Sequence, residues 1–450
     1  MAPRDLALAV LNSRDDSPGF QERYLEAAFA ENPNLDERDR AFVVHLVQGV
    51  LRWQIRLDWI VRQAVRFPFK KIAPATLNIL RLALYQIFFM DRVPDSAAVN
   101  EAVKQAGGAH NRHVAGFVNG ILRHICREKG CIRFPDPGHE YDRYLSLFYS
   151  YPLWLVRKWI RELGPEVTER LLDAGNRIPD RVIRLNTLKT DYPGLVGSLN
   201  RDGVTASVCT HSPEGARLHG VKGPVNQLKA FKQGLFQVQG EAAQLCSHLL
   251  IPRQGETVLD VCAGLGGKST HLAALMKDKG LILALDRNRS RLISLFQNLR
   301  RLGVGSVMPV MADATGSLSS FIRETFDQIL VDGPCSGLGV ISRRPDIKLT
   351  KREDDIQRLA SLQTTILNQA VPLLKKGGRM LYVTCTISRE ENEGVVADFL
   401  EKNHEMSLHH LKGVVPEWGL DLIDENGFFR TFPHVQGMEG FFGALFTKVQ

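Results

Sequence analysis

The chain is 450 residues long, too long for one hydrophobic core, so two or three domains are expected. Hydrophobic residues are 44% and charged residues 24%, an ordinary globular balance, and no apolar run approaches the ~20 residues of a membrane span. Lys and Arg exceed Asp and Glu by 57 to 49, which permits a nucleic-acid partner without requiring one.

Residues 1–135 read as helical. The opening MAPRDLALAVLNSRDDSPG has a basic residue and an apolar patch broken by Asp5, the pattern of a short amphipathic helix and not of a signal peptide. In LDERDRAFVVHLVQGVLRWQIRLDWIVRQAV, apolar residues recur at Phe42, Leu46, Val50, Ile55 and Trp59, close to a helical period. PATLNILRLALYQIFFM opens on Pro74, a good first-turn residue, and is apolar on most faces, which predicts a central helix. DSAAVNEAVKQAG is expected to start at Asp95 or Ser96 and stop at Gly107-Gly108. HVAGFVNGILRHICREKG is one more helix, closed by Gly130. This is a compact bundle with no catalytic cluster, and its surface arginines are candidates for RNA phosphates.

Two prolines and a glycine in CIRFPDPGHE mark a boundary. Residues 141–239 mix a helix, PLWLVRKWIREL, with the short alternating runs RVIRLNTLK, VTASVCT and GLFQVQ, the pattern of a small α+β module. Over 240–450, strand-like runs (ETVLDVCA, LILALD, VMPVMAD, FDQILVDGP, RMLYVTC) alternate with helical ones, which predicts a doubly wound α/β sheet. GFFRTFPHVQGMEGFFGALFTKV reads as a β-hairpin that adds an antiparallel edge.

Ligands in such sheets bind beyond the carboxyl ends of the strands. The first strand is followed by DVCAGLGGKST, with Gly264, Gly266 and Gly267 before a helix expected near Ser269. Asp286, Asp313 and Asp332 follow the next three strands. A phosphate loop is excluded, because Cys262 stands where its first glycine belongs. The dinucleotide fingerprint also fails, with Ser269 at its third glycine. Each acid alone reads equally well as a helix cap or a solvated carboxylate. Three together at strand ends favour a carboxylate-lined cleft for an adenosine ligand without phosphates, such as the cationic S-adenosylmethionine.

The cysteines number seven, are scattered and never spaced as C-x-x-C, which argues against disulfides or a metal site and for a reducing cytoplasm. Cys126, Cys131, Cys209 and Cys246 read as small buried hydrophobes. Cys335 and Cys385 differ: each stands just past a strand-like run, in ILVDGPCSGLG and LYVTCTISREEN.

Taken with LDVCAGLGGKSTHLA, ALDRNRSRL, ADAT and ILVDGPCSGLGVISRRPDIK, that last stretch resembles the successive motifs of the RNA cytosine-C5 methyltransferases. SAAVNEAVKQA and FVNGILR resemble the NusB-like domain of the RsmB (Fmu/Sun) type, and RLNTLK and GLFQVQGEAAQL the segments before its catalytic domain. The resemblance spans nearly the whole chain. It implies a NusB-like RNA-binding domain over 1–135, a small module over 141–239 and a Rossmann-like methyltransferase domain over 240–450. It also implies S-adenosylmethionine as cofactor and 16S rRNA as partner with cytosine 967 as target. A monomer with no membrane attachment is expected. The cofactor loop falls on Cys262, Ala263, Gly264, Leu265, Gly266, Gly267 and Lys268, and further cofactor contacts on Asp286, Asp313 and Asp332. The nucleophile falls on Cys385 and the second cysteine on Cys335. The chain departs from the family's usual Ala-Pro at Gly264-Leu265, which leaves the loop less rigid before binding, and has Thr386 where serine is common.

The chemistry needs these groups. A thiolate added to C6 of cytosine makes C5 nucleophilic toward a sulfonium methyl. The thiolate needs an electropositive setting, for which Lys268 is the candidate, and Asp332 is the candidate acid for the N3/N4 edge. The second cysteine would assist release of the adduct. Chemistry alone does not choose between Cys335 and Cys385; the resemblance does. Arg343, Arg344 and Lys348 in SRRPDIK read equally as an RNA-backbone contact or a solvated loop. The competing functions are a non-catalytic RNA-binding assembly factor and a nucleotide-dependent dehydrogenase.

Overall fold

Apolar residues at helical spacing and short β-rich runs sort this chain into two compact units, seen in a computed structural model that describes residues 1–13, 20–109 and 112–449. Residues 14–19, part of the opening stretch, lie outside the described residues.

The first unit comprises Met1–Arg177 and Ile341–Lys351. Its helices are α1 (Pro3–Asn12), α2 (Phe20–Glu31), α3 (Glu37–Ala64), α4 (Pro74–Phe89), α5 (Asp95–Ala109), α6 (Arg112–Arg127), α7 (Tyr141–Phe148), α8 (Leu153–Leu163) and α9 (Pro165–Asn176). Asp36 caps α3 by accepting from the Asp39 backbone N–H at 2.7 Å. Helix α4 starts on Pro74 and is buried on most sides, from Leu77 to Ile87, against α1, α3, α5 and α6. Helix α5 runs through Gly107-Gly108 to Ala109, because neither glycine takes the left-handed conformation that ends a helix.

One sequence expectation fails here. Lys348 is 2% exposed, and its Nζ donates to the carbonyls of Arg52 (3.0 Å) and Ser150 (3.2 Å) and to Asn176 Oδ1 (2.5 Å). An ammonium consumed by internal acceptors cannot neutralise a phosphate, so Lys348 is a structural residue of this unit and not an RNA contact. Its neighbour Arg344 lies 3.7 Å from Glu22 and 3.9 Å from Asp346.

The second unit comprises Ile178–Val340 and Arg352–Gln450. Its smaller sheet holds β1 (Arg181–Leu185), β2 (Thr205–Val208), β3 (Gly215–His219) and β4 (Phe236–Val238) in the antiparallel order β2-β3-β1-β4. Strand β3 escaped the sequence reading; its alternation is only Ala216 and Leu218. Helices α10 (Tyr192–Arg201) and α11 (Lys229–Lys232) complete this module.

The larger sheet follows α12 (Glu241–Leu249). In chain order come β5 (Thr257–Asp260), α13 (Gly267–Leu275), β6 (Leu281–Asp286), α14 (Arg289–Leu302), β7 (Val307–Met311) and β8 (Phe326–Asp332). After the turn α15 (Ile347–Thr350) in the first unit come α16 (Glu353–Ala370), β9 (Leu374–Thr384), α17 (Val395–Lys402), β10 (Met406–His409), β11 (Phe429–Thr431) and β12 (Phe441–Lys448). The spatial order is β10-β12-β9-β8-β5-β6-β7, with β11 paired to β12. Strands β5 to β9 are parallel, and β6 and β8 flank β5. Chain direction therefore diverges at β5, the switch point where such sheets bind ligands. The antiparallel β11–β12 pair is present, but β12 sits one place in, between β9 and β10, so the short β10 forms the outer edge.

Candidate active site

The loop after β5 occupies that switch point. Gly264 (φ +58°) and Gly266 (φ +79°) adopt left-handed backbone, which glycine enters at little cost, and a Cβ on Gly264 would meet open space. Helix α13 begins at Gly267, slightly earlier than expected, with Gly266 as its cap. Asp286, at the end of β6, is 7% exposed. Its Oδ2 accepts from Gly264 N (3.0 Å) and its Oδ1 from Asn288 N (2.7 Å). These bonds orient the carboxylate and shape the loop while leaving a lone pair on each oxygen. Asp313 is exposed, and its Oδ1 accepts from Thr315 N at 2.9 Å and Thr315 Oγ1 at 2.7 Å, which holds its carboxyl below the usual range. Leu265 is 55% exposed, whereas the Cys262 side chain packs against the core and burial pushes its thiol up.

Register brings the catalytic candidates together. Asp332 of β8 pairs with Val383 of β9, two residues before Cys385. Lys268, on the first turn of α13, is 8% exposed, and its Nζ lies 2.6 Å from Asp332 Oδ2 and 5.3 Å from the Phe441 ring centre. Burial works against the ammonium, but Asp332 and then the sulfurs of Cys246 and Cys385 outweigh it and hold its pKa above the ordinary lysine value. Cys335 Sγ and Cys385 Sγ are 3.1 Å apart. Hydrogen bonding to Cys385, burial and the negative charge of Glu391 push the Cys335 thiol well up. The two cysteine loops are also tied through backbone: Gly339 N donates to Cys385 O at 3.0 Å, and a side chain on Gly339 would collide with the carbonyls of Gly440 and Cys385.

Three supporting residues went unread in the sequence. Arg184 of β1 is buried and donates to Gly267 O (2.6 Å) and Thr270 Oγ1 (3.0 Å), so the small sheet holds the start of α13. Asp260 accepts from Ser269 Oγ at 2.7 Å, and burial raises its pKa to about 7. Glu391, 0% exposed, lies just beyond Cys385 in the same motif. Only the RLNTLK likeness pointed toward Arg184. Outside the site, Glu214, His248 and His271 bring ligand-type atoms within 4.8 Å of one another, with His248 Nε2 2.9 Å from Glu214. Burial and the Arg184 charge lower the His271 pKa to about 3.

The residues present fit S-adenosylmethionine: a loop open above Gly264, a buried carboxylate at Asp286 for ribose hydroxyls, and Asp332 across the switch point. A doubly wound sheet with this loop and a facing cysteine pair defines an S-adenosylmethionine-dependent methyltransferase, of the class that modifies C5 of cytosine in rRNA. Family models match at residues 247–447 (16S rRNA methyltransferase RsmB/F), 1–127 (NusB family) and 151–225 (the ferredoxin-like domain of RsmF/B-like methyltransferases). A probable ribosomal RNA small subunit methyltransferase B of Bacillus subtilis is 35% identical over 446 residues, covering 99% of this chain and 98% of its own. The Synechocystis protein of the same description is 34% identical and covers 100% of both. The chain belongs to the RsmB/F family of 16S rRNA methyltransferases.

The crystal structure of PH0851 matches with a TM-score of 0.82 and 28% identity over 100% of this chain and 99% of that one. NSun6 from Pyrococcus horikoshii, solved with SFG, matches at TM-score 0.58 and 25% identity, covering 65% of this chain and 97% of its own. The ferredoxin-like match begins at 151, although α8 and α9 pack with the first unit. Shared ancestry and packing divide the chain differently there. No helix among the described residues is long and apolar enough to cross a membrane.

Asp286→Ala removes the Gly264 bond that shapes the loop and the Asn288 bond, together with the carboxylate expected to meet the ribose. Charge-assisted hydrogen bonds contribute roughly 1.5–3 kcal/mol each, so the cofactor Kd is expected to rise about 10–100-fold by calorimetry. An unchanged Kd would remove Asp286 from the cofactor site.

Proposed function

We propose that this chain methylates C5 of cytosine 967 in 16S rRNA through a covalent Cys385–C6 adduct. The observation that carries the reading is the cysteine pair, with Sγ atoms 3.1 Å apart beside the Lys268–Asp332 ion pair. The cofactor loop is Cys262 to Lys268, with Asp286, Asp313 and Asp332 as further contacts. Bound there, S-adenosylmethionine supplies an electrophilic methyl group.

The protein's residues do the rest. Lys268 is the cation on the Cys385 side, the electropositive setting that a nucleophilic sulfur needs. That sulfur adds to C6 and shifts electron density toward C5. Asp332 holds the N3/N4 edge as charge develops. Once C5 is methylated, its proton passes to water, the C–H electron pair re-forms the C5–C6 double bond, and the S–C6 bond breaks to return the sulfur to Cys385; Cys335 assists this release. Residues 1–135 serve as the RNA-binding domain, 141–239 as the connecting module and 240–450 as the catalytic domain. Arg343 and Arg344 contact the RNA backbone, and the protein acts as a cytoplasmic monomer. The target base is flipped into the pocket, at a cost of roughly a few kcal/mol.

Bisulfite mapping of 16S rRNA tests this directly. Cells lacking the protein should lose 5-methylcytosine at one position, and the intact gene but not its Cys385→Ala form should restore it. An unchanged methylation map would leave the assembly-factor reading, which calorimetry with S-adenosylmethionine then tests by its absence of binding.

A further inference from the structure

Cys335 and Cys385 look equivalent along the chain, but their surroundings are not. On the Cys385 side stands the Lys268 ammonium, paired to Asp332. On the Cys335 side stands Glu391, which enters from the segment after β9 and is 0% exposed. Its Oε1 accepts from the backbone N–H of Ser336, next to Cys335, at 2.8 Å and from Gln363 Nε2 at 3.0 Å. Two N–H donors fix this oxygen in place between the Cys335 loop and Gln363.

The surrounding bonds lock this arrangement. Tyr382 OH donates to Gln363 Oε1 (2.9 Å) and to Glu391 O (2.6 Å), and Gln363 Nε2 also reaches Pro334 O at 2.9 Å. Ser336 Oγ lies 2.7 Å from Thr386 Oγ1, joining the residues that follow each cysteine. Asn392, beside Glu391, accepts from Thr384 Oγ1 (2.6 Å) and donates to Thr386 O (3.1 Å). Residues 334–336 and 384–386 therefore converge on adjacent residues of one segment.

We propose that Glu391 is the positioning residue that makes the two cysteines unequal: it clamps the Cys335 loop against the end of β9 and keeps negative charge beside Cys335, so the proton between the sulfurs resides on Cys335 and Cys385 is left as the nucleophile. A buried carboxylate disfavours a second negative charge close by, whereas an ammonium favours one. Cys385 and the Glu391 charge act on Cys335, and the neutral phenol of Tyr382 feels Glu391, Cys335 and Asp332; the Lys268 ammonium interacts with Asp332, Cys246 and Cys385. Hydrogen bonding, burial and the Glu391 charge all raise the Cys335 thiol, in line with this assignment.

The inference rests on the reading of Cys385 as nucleophile, and the test is chosen to separate the two. Full-length protein, without RNA or cofactor, is alkylated with iodoacetamide across pH, and each cysteine peptide is quantified by mass spectrometry. In the unsubstituted protein Cys385 should react faster than Cys335 at neutral pH; equal or reversed rates overturn the proposal. Glu391→Gln keeps an oxygen acceptor for Ser336 N–H but removes the charge. Cys335 alkylation at pH 8 should then rise about tenfold, the change that one unit of thiol pKa brings. Glu391→Asp, which keeps the charge but shortens the reach, should lose methylation while leaving Cys335 slow to alkylate. A Glu391→Gln protein with wild-type thermal stability and an unmoved Cys335 profile would show a purely structural role and end the proposal. A swapped nucleophile would appear instead in RNA capture, whatever the alkylation profiles show.

Discussion

Cys385→Ala is expected to abolish methylation and covalent RNA capture together. The loss should be at least about 10⁴-fold, because removing a nucleophile eliminates the stepwise route itself and not one favourable contact within it. Cys335→Ala should behave in the opposite manner. Addition to C6 needs only the Cys385 sulfur, which this variant keeps along with the Lys268 cation. Release then fails, and a species that survives denaturing electrophoresis should accumulate with 16S rRNA fragments. The 3.1 Å separation of the sulfurs puts both at one base, so the contrast between the variants reports role and not position. Capture by the Cys385 variant but not by the Cys335 variant would reverse the assignment.

The second large effect is expected at Asp332. Lys268 is nearly buried, and its 2.6 Å contact with Asp332 is what holds the charge there. With Asp332→Asn, burial acts unopposed by that carboxylate and pulls the lysine toward its neutral form. Cys385 then loses its neighbouring cation, and the cytosine edge loses the Asp332 carboxylate. Together these should lower kcat by roughly 10²–10³, the size expected for one preorganised electrostatic partner. Cofactor affinity should change by less than about tenfold, given that Asp286 and the loop remain. If affinity for S-adenosylmethionine absorbs the whole loss while kcat holds, Asp332 serves the cofactor alone.

Much of this architecture could be read along the chain, for a physical reason. Strand and helix periods, glycine turns and strand-end acids are local patterns, each written within a dozen residues. That is why the alternation from β5 to β9, the Gly264–Gly267 turn and the strand-end positions of Asp286 and Asp332 are legible in the sequence. The motif likeness added what local chemistry left open, the order of the two cysteines.

Tertiary structure decided whatever depends on distant segments meeting. Lys348 looks like any loop lysine until Arg52, Ser150 and Asn176 close around it. Strand β12 reads as an edge, yet pairing with β9 on one side and β10 on the other moves it inward. Arg184 carries no signal of its own, because its acceptors Gly267 and Thr270 lie more than eighty residues away. Glu391 reads as one acid among several in SREENEG, and only the fold buries it against Ser336 and Gln363. Sequence thus marked the glycine loop, the strand-end acids and the two cysteines, while Arg184, Asp260 and Glu391 emerged only with the fold. Burial and long-range hydrogen bonds, which no local pattern encodes, decided the charge each cysteine faces.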